Sequence, residues 1–103
     1  MRFITTPRFA RDYARSAPEH RRLFQQALRE HFLPAVRSGA LRRDTTWPAT
    51  LRIHKLKETS IYSMTWSFTS PDGRATFHVE IGKDGKPTLV WRRIGNHDIY
   101  EKP

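Results

Sequence analysis

At 103 residues, with 37% hydrophobic, 12% aromatic and 28% charged residues, the chain has the length of one ordinary domain and a globular rather than a disordered composition. It contains no cysteine, which excludes a disulfide framework, a zinc-thiolate site and a thiol nucleophile, and makes a reducing cytoplasm the expected compartment. No apolar run approaches the roughly 20 residues that cross a bilayer, so a membrane role is not expected, whereas 19 Lys and Arg against 10 Asp and Glu leave a charge of +9 and point to a polyanionic partner.

Residues 2–6 are β-prone, and Thr6-Pro7 then supplies an N-cap and a proline at the first helical position. The spacing predicts a short helix from Pro7 with Phe9 and Tyr13 on its apolar stripe, broken at Ser16-Ala17-Pro18. A longer helix follows, with Leu23, Phe24, Ala27, Leu28, His31, Phe32, Ala35 and Val36 recurring at three and four, and it ends at Ser38-Gly39. Pro34 is expected to kink it or stop it early. Residues 40–49 have no period and are expected to form a loop that carries Trp47 over the edge of the core.

Beyond this point the period becomes two. Leu51–Leu56 is β-prone, and Ile61–Thr69 alternates, with Tyr62, Met64, Trp66 and Phe68 on one face and Ser63, Thr65 and Ser67 on the other. Ser70-Pro71-Asp72-Gly73 predicts a turn, after which Ala75, Phe77, Val79 and Ile81 are expected inward and Arg74, Thr76, His78 and Glu80 outward. Gly82–Lys86 makes a second turn, Thr88–Ile94 a last strand, and a polar tail follows Gly95. The sum is β-α-α-β-β-β-β, an α+β domain over residues 1–103 with two helices packed on one face of a mainly antiparallel sheet.

The charge is concentrated early: residues 1–43 hold 10 Arg against 3 acids, and residues 44–103 hold 9 bases against 7 acids. Three groups of polar residues stand out. Arg74 and His78 share an outward face with Ser63, Thr65 and Thr76, which either meets water or cups a phosphate. Arg52-Ile53-His54-Lys55-Leu56-Lys57 places cations on a strand, where lysine protects a sheet edge or holds a nucleic-acid backbone. His97, Asp98 and Tyr100 crowd the residues after the last strand, either as an exposed tail or as a source of general acid and base. The five histidines are too scattered for a metal set, and neither a phosphate-binding glycine loop nor a serine nucleophile elbow is present. No cofactor is expected.

Leu51-Arg52-Ile53-His54-Lys55-Leu56, Gly73-Arg74-Ala75-Thr76-Phe77 and Arg93-Ile94-Gly95-Asn96-His97-Asp98-Ile99-Tyr100, in that order behind two helices, resemble the motifs of the RelE/ParE superfamily of bacterial toxin-antitoxin toxins over nearly the whole chain. The resemblance implies a RelE-like fold and a small cytoplasmic toxin, held inactive by a cognate antitoxin, that cleaves messenger RNA on the ribosome without metal. It matches Arg74 to the family's phosphate-stabilising arginine, His97 to a C-terminal acid/base histidine and Tyr100 to the nearby aromatic. His54 then becomes a second proton-transfer group, and Arg52, Lys55 and Lys57 become RNA-backbone contacts, with His78 added from its place on the outward face. Some members use a glutamate base, to which neither Glu58 nor Glu80 matches. The ParE branch inhibits DNA gyrase instead, and a non-catalytic basic binding module is the third reading.

Overall fold

A computed structural model describes residues 1–42, 45–67 and 73–103. Strand β1 (Arg2–Thr5) leads into α1 (Pro7–Arg15), where the Thr6 hydroxyl accepts the Phe9 N–H and donates to the Arg92 carbonyl. One side chain thus caps the helix and ties its start to the last strand. Ser16 ends α1, and the Arg21 guanidinium donates to the Ser16 and Tyr13 carbonyls that the helix end leaves open.

The second helix does not stop at Pro34. It runs as α2 (Pro18–Ala27), widens into a π-helical stretch over Leu28–Phe32, and resumes as α3 (Leu33–Arg37). Pro34 has no N–H to give and its ring would crowd the preceding turn, and the wider π turn lies immediately before it. Gly39, at φ +95°, closes the helix by donating to Val36. Two short 3-10 turns form at Ala40–Arg42 and Ala49–Leu51, and Trp47, just before the second, stacks on Phe32 with ring centroids 5.1 Å apart.

The remaining strands are β2 (His54–Lys55), β3 (Tyr62–Ser67), β4 (Gly73–Ile81) and β5 (Pro87–Gly95), in a five-stranded sheet of order β1-β5-β4-β3-β2. All neighbours are antiparallel except β1 and β5. The architecture is therefore the expected α+β one, with β1 adding a parallel pair. The predicted turn at Ser70-Pro71-Asp72, together with Phe68, lies outside the described residues. The expected strand over Leu51–Leu56 shrinks to two residues, because Ala49–Leu51 turns and Arg52 adopts a left-handed conformation at φ +48° that no strand can hold.

The helices cover the inner face, where Phe9, Phe24, Phe32, Met64, Trp66, Ala75, Phe77, Leu89 and Trp91 form one aromatic-rich core. Phe32 packs edge-on to Phe77 at 5.6 Å and against Trp91 at 5.1 Å. Ala75 and Phe77 are buried on the inward face of β4 as expected, whereas Ile81, on the same face, is 68% exposed. There the strand outruns its helical cover, leaving Ile81, Phe3 and Met1 in an open apolar groove beside Leu33 and Val36.

Candidate functional site

Over Ser63, Thr65 and Thr76 the outer face of the sheet is not open to water. A 3-10 turn over His97–Glu101 and the residues after it fold back across β3, β4 and β5 as a strap. Asn96 starts the turn by accepting the Asp98 N–H. Ile99 is buried against the flat surface of Gly95, where a β-carbon would meet the Ile99 side chain at 2.9 Å. The tail expected after Gly95 is thus a packed element, and beneath it Ser63, Thr65 and Thr76 are almost wholly buried. Alternation identified their face correctly but could not show that the chain would return to cover it.

Cross-strand register builds the site. Thr65 pairs with Arg74 and Arg74 with Gly95, while the next row holds His54, Ser63, Thr76 and Arg93. Arg74 is only 8% exposed, and its Nη2 lies 3.1 Å from His97 Nε2. A guanidinium can only donate, so Nε2 accepts and the imidazole proton sits on Nδ1. The His97 and Tyr100 rings lie 5.2 Å apart, and the Tyr100 hydroxyl is 2.6 Å from Ser63 Oγ. Arg74, His97 and Tyr100 are thereby gathered over one patch, with Ser63 beneath them.

His54 joins the row of Ser63 through β2, and its Nδ1 donates to the Arg52 carbonyl at 3.0 Å. Lys55 and Lys57 are exposed along the same edge, with Lys57 past the end of the strand. Arg52 lies off the strand, in the left-handed turn before it. This edge is a basic rim rather than the continuous strand of cations expected.

His78 does not stand beside Arg74. It is four residues along β4, about 13 Å at strand rise, and it is held between Arg92 Nη1 on Nδ1 at 3.0 Å and Glu80 Oε1 on Nε2 at 2.9 Å. Arg92 can only donate, so Nε2 carries the proton and donates to Glu80. This histidine is therefore part of a separate cluster. Among the described residues no group of three His, Asp or Glu gathers in a way that would hold a metal ion.

Sequence reasoning missed Arg92, Arg93 and Asp12. A bulge in β5 sets both arginines against one stretch of β4, so that Thr76 pairs with Arg93 and Phe77 with Trp91. Arg93 makes a two-bonded ion pair with Asp12 of α1, at 2.6 and 3.2 Å, and donates to the Lys102 carbonyl. Asp12 also accepts the Ile94 N–H and so continues the β5 edge where β1 has ended. The run Trp91-Arg92-Arg93 carried no signal of a bulge, because strict alternation would have sent its two arginines to opposite faces.

No protein-family model and no curated protein sequence matches the chain. Among solved structures the chain is similar to the conserved hypothetical protein HP0894 from Helicobacter pylori, with 16% identity over 95% of this chain and 96% of that one and a TM-score of 0.44. No helix among the described residues is long and apolar enough to cross a membrane.

Proposed function

We propose that the protein is the toxin of a type II toxin-antitoxin pair, a single RelE/ParE-like domain that cleaves messenger RNA on the ribosome without a metal ion. The observation that supports this reading best is the contact of Arg74 Nη2 with His97 Nε2 over a patch that also holds Tyr100 and Ser63. Cleavage by an internal 2′-hydroxyl needs a base for that hydroxyl, a cation for the charge that develops on phosphorus, and a proton for the departing 5′-oxygen. When a phosphate takes the Arg74 guanidinium, His97 Nε2 is released to accept the 2′-hydroxyl proton, the 2′-oxygen bonds phosphorus and the bond to the 5′-oxygen breaks. Arg74 neutralises the equatorial oxygens, and His54 in its charged form gives its Nε2 proton to the leaving oxygen. Tyr100 fixes the His97 ring and offers its own face to a base. Arg52, Lys55 and Lys57 line the rim along which the RNA backbone approaches, and the cognate antitoxin is an acidic protein that meets the +9 charge.

His97 is exposed, so His97→Ala removes the base with little cost to the fold, whereas Arg74 is buried and its replacement also perturbs packing. Cleavage by His97→Ala is expected to fall by about 10²–10⁴-fold, measured as new RNA 5′ ends in translating extracts, with the melting temperature held within a few degrees. Undiminished cleavage contradicts this assignment. Growth arrest with DNA breaks and intact transcripts points to the gyrase-inhibiting reading, and neither effect points to a non-catalytic binding module.

A further inference from the structure

Two donors on the outer face converge on a single main-chain oxygen. Thr76 Oγ1 lies 3.3 Å and Arg92 Nε 3.1 Å from the oxygen of Pro103, and next to it Arg93 Nη1 donates to the Lys102 carbonyl at 3.1 Å. Thr76 is fully buried, with 0% exposure, and Arg92 is half-buried. No side-chain carboxylate lies against Arg92 among the described residues, whose acceptors are the Pro103 oxygen and His78 Nδ1, whereas Arg93 is already neutralised by Asp12. A hydroxyl and a guanidinium aimed at one oxygen, from rigid neighbouring strands, form a cradle for a phosphate oxygen.

Thr76 follows Arg74 by two residues on the same face of β4, so the two positions are about 7 Å apart along the strand. We infer that Thr76 and Arg92 form a second phosphate subsite for RNA beside Arg74, occupied in this conformation by residues 102–103, which an incoming RNA backbone displaces. The inference rests on the ribonucleolytic reading of the Arg74 patch and extends it by naming where a neighbouring phosphate binds. The bulge in β5 lets Arg92 and Arg93 share the face of Thr76, so that Arg93 can pair with Asp12 while Arg92 stays on the cradle. The strap then acts as an internal competitor: its main-chain oxygens fill the subsite until RNA is present.

The test measures binding of a short 2′-O-methyl RNA, which cannot be cut, to the full chain, to a variant lacking Lys102 and Pro103, and to Arg92→Gln. Removal of the two residues is expected to tighten binding several-fold. Arg92→Gln is expected to weaken it and to reduce the slope of log K against log salt by about one contact, roughly 0.7 for a single strand. Unchanged affinity in the shortened form, with its thermal transition intact, overturns the subsite, as does an unchanged salt slope in Arg92→Gln. Should the shortened chain fail to fold, the Arg92→Gln slope decides alone. Absence of RNA binding by every form instead defeats the ribonuclease reading itself, an outcome distinct from binding that ignores Arg92 and the strap.

Discussion

A β-carbon placed on Gly73 would lie 2.4 Å from the Trp66 ring, so the first residue of β4 must be glycine for the indole to lie flat against the strand that carries Arg74. Gly73→Ala forces the buried Trp66 ring or the strand to move and is expected to cost about 1–3 kcal/mol, visible as a lowered urea midpoint. Tyr100→Phe tests the other side of the patch. It leaves buried Ser63 without its 2.6 Å partner, and a loss of about 1 kcal/mol is expected from chemical denaturation. At this scale the sequence exposed the cast but not the contacts. Arg74, His97 and Tyr100 were legible as polar residues on one face or just past its strand, and they meet. His78 shared the same alternation and yet faces Glu80 and Arg92, because position along a strand, which a face assignment ignores, separates it from Arg74.

Elements were legible where local chemistry decides them and illegible where a distant segment does. The Thr6 cap, the break at Ser16-Ala17-Pro18 and the Gly39 terminus depend on neighbours a few residues away, and each was written in the sequence. The β5 bulge, the π stretch ahead of Pro34 and the return of the strap depend on what the chain packs against. Asp12 shows the same dependence, since its carboxylate serves an edge 81 and 82 residues away. Asp12→Ala is therefore expected to destabilise the fold by roughly 1–3 kcal/mol, because it leaves the half-buried Arg93 without its carboxylate. Hydrogen exchange should quicken at the Ile94 amide first, whereas uniform quickening across the sheet would contradict the edge role.

Over the whole molecule, the inner face is sealed by helices at one end of the sheet and open at the other. Ile81, Met1 and Phe3 remain 42–68% exposed there, and a surface position of this kind contributes little to folding. Ile81→Lys is accordingly expected to leave the melting temperature within about 2 °C while lowering self-association at high concentration, as measured by sedimentation. The outer face holds the candidate site. It brings a buried guanidinium, an exposed imidazole and a phenol together beneath and within a strap that also fills a neighbouring oxygen cradle. The most direct test of this account maps new RNA 5′ ends in a bacterial host shortly after induction of the wild type and of His97→Ala. Discrete ends within coding regions that disappear in the variant, with equal amounts of folded protein, are the predicted result. The same ends in both, or ends in neither while growth still stops, would contradict the account.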